Sequence, residues 1–199
     1  MLNTKPNYDK LTEKQYLKAE YMSGTKHEFV NGQAVAMAVA SPNHCKITNN
    51  ISRLLGNHLE DSPCYPCSSD MRLKTSTGNH RYPDVLVICD DDFKDNATET
   101  PIIIVEVISH STRKTDEREK FLEYINIESL QEYILIEQDI ANVIVFRRTN
   151  DWRPDHYYLG ETVHLNSIDL SLSVADIYRR VINDDTKAFL EQQQNQTTA

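Results

Sequence analysis

Residues 101–109 read PIIIVEVIS. Five of the first seven are Ile or Val, the composition of a strand buried on both faces. Glu106 interrupts the run. A carboxylate among aliphatic neighbours is costly unless a cation, a metal or a proton answers it. One short stretch therefore predicts a core strand and poses a chemical question.

Alternation places Ile102, Ile104, Glu106 and Ile108 on one face of that strand. Upstream, RYPDVLVI (residues 81–88) carries Asp84 at the start of its aliphatic run. Two successive strands thus hold one acid each in apolar surroundings. Neighbouring strands lie about 5 Å apart, so a small offset in register brings both acids to one point. Unpaired carboxylates that close cannot both ionise, and one pKa rises. A divalent cation removes the conflict, and hard oxygen ligands with open water positions suit Mg²⁺ or Mn²⁺. Such an ion is suited to chemistry on phosphates.

Downstream, a helix is expected over residues 115–126, with Thr115 as N-cap and Asp116 and Glu117 in the first turn. Asp116, Lys120 and Tyr124 fall at i, i+4 and i+8, one column on its edge. Lys120 would supply the cation and Asp116 would hold it. Periodicity alone does not choose Lys120, because Arg118 points closer to the apolar face of Phe121, Leu122 and Ile125. Taken singly, Asp84 reads equally as a solvated loop acid, Glu106 as half of an ion pair with a buried Arg, and Lys120 as a surface lysine. Their joint placement is what points to a site. Glu28, just before a hairpin turn, and His44, on a helix face with Ile51 and Leu55, are supporting candidates. Each also reads blandly, as an exposed strand acid and a core histidine. Asp70 is expected to pair with a nearby Arg.

The rest of the chain gives a helix at 10–22 and a hairpin in KHEFVNGQAVAMAV, turning at Asn31-Gly32, the preferred type I′ pair. Ser41-Pro42 opens a helix to about residue 60, with Ile47, Ile51, Leu54, Leu55 and Leu59 as its apolar stripe. Strands follow at 65–74, 83–89 and 101–108, then at 132–137 and 142–148, with a short helix at 173–182. This order describes an α/β sandwich with a mixed sheet, parallel across the helix at 115–126 and antiparallel where turns are short. Residues 1–184 form a single domain, and the polar tail 185–199 is expected to be disordered.

The chain has 199 residues and a net charge of −9. That charge repels nucleic acid, whose binding rests largely on phosphate neutralisation. Two local basic stretches oppose it: MRLKTSTGNHR (71–81) and STRKTDEREK (111–120), the second offset by its own acids. No apolar run is long enough to cross a bilayer, and the polar opening MLNTKPNYDKLTEKQYL lacks a secretory core, so a cytoplasmic protein is expected. Cys64 and Cys67 make C-Y-P-C, a superficial match to a redox pair. They sit at a Pro-rich strand entry rather than a helix N-terminus, so Cys45, Cys64, Cys67 and Cys89 are expected to be reduced thiols. A four-Cys zinc site is not expected.

KHEFVNGQ, ASPNH, SSDMRLK, YPDVLVI, IVEVISHST, DEREKFLEY and LQEYILIEQD occur in that order. With this set the sequence resembles the Uma-two family, a cyanobacterium-rich branch of the PD-(D/E)XK nuclease superfamily whose name as restriction endonucleases rests largely on fold. The resemblance spans roughly residues 12–182. It implies a restriction-endonuclease-like core and phosphodiester hydrolysis with a divalent metal. Pro83-Asp84 matches the PD element and Glu106 the acid of the second element. Ile108 stands where a lysine is usual; Lys120 matches the place of a lysine that has migrated to the following helix. Glu28 matches an N-terminal acid near the site. A nucleic-acid substrate, DNA favoured, and a homodimer follow from the resemblance. Two rivals stand beside this reading: a non-catalytic binding or assembly protein on the nuclease fold, and a thiol-redox protein using Cys64 and Cys67.

Overall fold

A computed structural model describes residues 10–89, 96–109 and 115–197. Helix α1 (Glu13–Met22) starts at Thr12, whose hydroxyl accepts from the Gln15 N–H while the Gln15 side chain answers the Thr12 N–H, a capping box that satisfies donors the helix cannot pair itself. Strands β1 (His27–Val30) and β2 (Gln33–Ala36) form the expected hairpin. Asn31 and Gly32 have φ of 53° and 87°, the left-handed pair that a type I′ turn needs. Tyr16 ties α1 to this hairpin by donating from its hydroxyl to the His27 carbonyl at 2.7 Å.

Helix α2 (Pro42–Leu59) begins as its sequence demands, with the Ser41 hydroxyl accepting from the His44 N–H at 3.1 Å. The stretch expected as one strand over 65–74 is two: β3 (Tyr65–Ser68) and β4 (Arg72–Lys74). A turn closed by the Met71 N–H donating to the Ser68 carbonyl separates them, and they enter different sheets. Short β5 (His80–Arg81) and β7 (Ala97–Thr98) flank β6 (Val85–Ile88) in the chain, and β8 (Ile103–Ile108) follows.

Six strands make the central sheet, in the order β11-β10-β9-β8-β6-β3, where β9 is Glu132–Glu137, β10 Asn142–Arg147 and β11 Pro154–Tyr158. Within it β8 and β9 are parallel and the other pairs antiparallel. A second sheet runs β2-β1-β5-β4-β7. Strands β12 (Thr162–Leu165) and β13 (Leu170–Ser173) form a separate pair, followed by α4 (Val174–Ile177). The segment expected to be a disordered tail carries α5 (Asp184–Thr197) instead. Its polar composition gives no core-facing stripe, but Asp185 accepts from the Ala141 N–H at 2.8 Å and anchors the first turn.

Every residue of β8 is buried, as its composition predicts. Val105 and Val107 pack with Val85, Val87 and the α2 stripe of Ile47, Ile51, Leu55 and Leu59. Ile104 and Ile108 pack on the other side with Leu86, Tyr124, Ile127 and Leu130. At about 25 cal/mol per Å² of apolar surface, this two-sided burial is what fixes the strand, and with it the height at which Glu106 emerges.

The cysteines depart from expectation. Cys64 and Cys89 are joined by a disulfide. The β3–β6 register explains the pairing: Tyr65 lies opposite Ile88, so the next residues outward, 64 and 89, face one another. Cys67 is not disulfide-bonded and packs on the opposite side of the sheet from Cys64. The C-Y-P-C thiols therefore point apart, and strand alternation rules them out as a redox pair.

Candidate nuclease site

Three elements meet at one end of the central sheet. In the β6–β8 register Val85 pairs with Val105 and Leu86 with Ile104. Asp84 immediately precedes β6, next to the last residue of that register. The Asp84 carboxylate also takes the main-chain N–H of Val107, at 2.7 Å from Oδ2, so it is held against the chain right beside Glu106. From α2, His44 brings Nε2 to 3.1 Å of the same oxygen. His44 thus pairs with the acid from the helix face expected of it.

Glu106 is 4% exposed. Its Oε1 accepts from Lys120 Nζ at 2.9 Å and from the Tyr124 hydroxyl at 3.0 Å. Burial, and then the Glu106 charge, hold the Tyr124 phenol well above its ordinary pKa, so Tyr124 remains a proton donor to the carboxylate. Lys120 Nζ also lies 3.6 Å from Glu28 Oε1. Arg81, 2% exposed, donates from Nη1 to Glu28 at 2.8 Å and from Nε and Nη2 to Glu123 at 3.0 and 2.5 Å. Burial pushes the Glu28 carboxyl up, but the charges of Lys120 and Arg81 outweigh it and the net shift is downward. Burial likewise works against the Arg81 charge, yet the Glu123 hydrogen bond and the Glu28 charge leave its pKa raised. Acid and base alternate from Glu106 through Lys120, Glu28 and Arg81 to Glu123.

The helix that delivers Lys120 is not the plain α-helix expected over 115–126. Thr115–Lys120 is a π-helical turn, followed by α3 (Phe121–Tyr124). A π turn is wider and shifts the phase of the side chains that follow. Lys120 is buried while Arg118 is exposed, which resolves the choice that periodicity leaves open. The side chain of Asp116 lies outside the described residues, as does any N-cap role of Thr115. Asp70 pairs with Lys26, not with an Arg.

In the sequence Tyr124 stands out only as the end of a column, and Arg81 only as part of a basic stretch. Their signal, aromatic or guanidinium groups adjoining the acid-bearing strands, is too common to single out without coordinates. Among the described residues, no group of three His, Cys, Asp or Glu side chains is set to hold a metal. Two carboxylates suit an ion that keeps most of its own water, as Mg²⁺ does. Asp84 and Glu106 are the residues that would hold it.

The model of the Uma2 family, described as "Putative restriction endonuclease", matches residues 13–175. The chain belongs to the Uma2 family. Two uncharacterized proteins of Synechocystis are similar to it: one is 35% identical over 177 residues, covering 86% of this chain and 93% of the relative, and the other is 38% identical over 146 residues, covering 71% and 82%. The fold is shared with a crystal structure from Anabaena variabilis described as a "putative nuclease belonging to DUF820", at a TM-score of 0.72 and 17% identity, over 86% of this chain and 99% of that one. At that identity the likeness speaks for the fold alone. The expected α/β architecture, a mixed sheet flanked by helices in a nuclease-like arrangement, is borne out.

Proposed function

We propose that this Uma2 protein is a divalent-metal-dependent endonuclease that hydrolyses DNA phosphodiester bonds. The observation that supports the reading is Lys120 Nζ lying 2.9 Å from the buried Glu106, beside the strand that begins after Asp84. Asp84 and Glu106 would hold a Mg²⁺ or Mn²⁺ ion, which would supply charge stabilisation at the scissile phosphate and lower the pKa of water to furnish the nucleophile. The chain's own groups do the rest. The Lys120 ammonium orients the attacking water or balances charge on the phosphate oxygens. Tyr124 holds the Glu106 carboxylate in place, and His44 does the same for Asp84. Glu28, backed by Arg81, keeps Lys120 aimed, and Asp116 is a further candidate for that positioning role.

The test is direct. Purified protein is incubated with duplex DNA, single-stranded DNA and RNA, with and without Mg²⁺ or Mn²⁺. Metal-dependent cleavage of DNA that disappears in Asp84→Ala and Glu106→Ala supports the assignment. Cleavage that survives both substitutions overturns it, and the absence of cleavage on every substrate favours the rival, a binding protein on the nuclease fold.

We further propose that two copies pair through β2. All four β2 residues are exposed at the edge of their sheet, and Val39 just beyond is 99% exposed. The stretch from Ala34 to Ala40 is uncharged and reads the same in both directions about Met37, so antiparallel copies would set Val35 against Val39. Such an edge invites a partner strand. Sedimentation of the wild type as a dimer, and of Val35→Lys as a monomer, is the expected outcome; a monomeric wild type removes the proposal. Among the described residues no helix is long and apolar enough to cross a membrane. The compartment we propose is the cytoplasm.

A further inference from the structure

A cleft of about 600 Å³ opens on the far side of α2 from the acids. Its walls hold Lys46, Asn49, Asn50, Arg53, Arg179 and Arg180, with one carboxylate, Asp176. On a chain of net charge −9, four cations against one acid is a local reversal of sign. Asp176 is taken by Arg179. Lys46, Arg53 and Arg180 pair with no carboxylate among the described residues.

The cleft is built, not accidental. Lys46, Asn49, Asn50 and Arg53 fall at i, i+3, i+4 and i+7, one face of α2. Asn50 is buried and donates to the carbonyls of Ile177 at 2.9 Å and Arg179 at 2.8 Å. Asn43 clasps Ile182 through both its amide atoms. The segment after α4 is thereby fastened along α2, and Arg180, in the left-handed region at φ 65°, turns at the cleft wall. At 3.6 residues per turn, Lys46 and Arg53 lie about 200° and 180° around the helix from His44. Lys46 and Arg53 therefore lie on the face of α2 away from His44, and Arg53 is also about 13 Å farther along the helix axis.

We propose that this cleft binds backbone phosphates of the nucleic acid, outside the nucleotides that reach Asp84 and Glu106. Lys and Arg neutralise phosphates, and Asn side chains donate to them without reading sequence. A strand advances about 3.4 Å per nucleotide, so about five nucleotides or more lie between the two sites. The ligand class rests on the nuclease reading, while the cleft itself does not. It also gives an acidic protein the means to hold a polyanion that its overall field repels.

The experiment measures binding apart from cleavage. Fluorescence anisotropy of a labelled 20-mer duplex is followed in EDTA across a salt series. The combined variant Lys46→Ala, Arg53→Ala, Arg180→Ala should lose at least about tenfold in affinity, and the slope of log K against log salt should flatten by about two to three. A control removing three other exposed cations, Lys14→Ala, Lys18→Ala and Lys187→Ala, should shift affinity less than about twofold. Circular-dichroism melts check that the variants fold, and Lys46→Arg, Arg53→Lys, Arg180→Lys should keep the wild-type slope. Wild-type affinity and slope in the cleft variant overturn the proposal, and so does a cleft that captures an acidic peptide but no duplex. If the slope flattens as expected and the wild type cleaves nothing with metal, the cleft stands and the nuclease reading falls. Cleavage with an unaltered slope has the opposite meaning: the nuclease reading stands and the cleft falls.

Discussion

The central sheet has two unlike ends, and both hold a buried acid beside a buried cation. At one end Glu106 meets Lys120. At the other, Glu132, 1% exposed, lies 3.4 Å from Arg147 Nε. The strands are neighbours, with Glu132 opposite Ile103 in the β8–β9 register. Their partners differ in kind. Glu132 accepts from the main-chain N–H groups of Asn166 and Ser167, at 3.0 and 3.2 Å, and from the Ser167 hydroxyl at 2.5 Å. Arg147 is committed to Asp155 at 2.6 Å and to the His164 carbonyl at 2.8 Å. Main-chain donors belong to the fold and cannot leave without unfolding a turn. Lys120 and Tyr124 are side chains on one short helical segment, and an ammonium on a flexible stem can exchange one partner for another. A buried acid in an apolar strand is therefore ambiguous, and the nature of its donors separates structural from chemical use.

The sharpest way to break this contrast is to neutralise each acid without changing its shape. Glu106→Gln should reduce metal-dependent cleavage by at least about 1000-fold, the scale of losing a group that acts in the transition state. Its cost to stability should be modest, because Lys120 retains Glu28 at 3.6 Å. Glu132→Gln should do the reverse. Breaking a buried pair costs about 3–5 kcal/mol, read as a lower midpoint in urea, with cleavage per folded molecule unchanged. Equal losses of activity in both variants would erase the distinction between the ends.

Lys120→Met comes next. Cleavage should fall by about 100- to 1000-fold, and Lys120→Arg should recover only part of it, because a planar fork does not replace a point charge. Full activity in Lys120→Met would remove the ammonium from the chemistry and leave it as a counter-ion.

One end of the sheet is far more legible in the sequence than the other. Asp84 and Glu106 stand out because one opens an aliphatic run and the other interrupts one. Glu132 also borders an aliphatic run, EYILIE, yet nothing in that run announces Arg147 on the next strand or the amides of residues 166 and 167. Those contacts are set by tertiary closure. Lys120 is reachable only through resemblance, because a π turn replaces the regular helix on which a periodicity argument depends. The division of 65–74 into two strands is hidden for a related reason: the run is strand-like throughout, and only the sheet exchange at residues 69–71 shows the break. Cys64 and Cys89 need the β3–β6 register, which no spacing along the chain supplies.

The disulfide sharpens the comparison, since it sits at the Glu132 end: β6 starts beside Asp84 and ends at Cys89. A thiol titration of the native protein should find two cysteines that are not disulfide-bonded, Cys45 and Cys67. Closing a loop of sequence separation 25 corresponds to about 3.5 kcal/mol in the chain-entropy account. Reduction should therefore lower the melting temperature by several degrees while cleavage by the folded fraction persists. Loss of cleavage on reduction, at a temperature where the fold is intact, would show that the two ends are coupled.

The smallest effect concerns acid, and it tests Glu28 alone. Its folded pKa lies below the usual value of 4.5 because Lys120 and Arg81 together overcome the cost of burial. A depressed carboxyl stabilises the fold where it is ionised, above its unfolded pKa, and that contribution drains away as pH falls through the folded value. Glu28→Gln removes the group, so its difference in stability from the wild type should be constant above about pH 5 and should shrink below about pH 4.5. In Lys120→Met one of the two opposing charges is gone, burial pulls the Glu28 pKa back upward, and the window should move to higher pH. The measurement is a set of urea midpoints from about pH 3 to 7 for the three proteins. If the wild-type and Lys120→Met windows coincide, Lys120 does not face Glu28 in solution, and the alternating chain from Glu106 to Glu123 is broken at its second link.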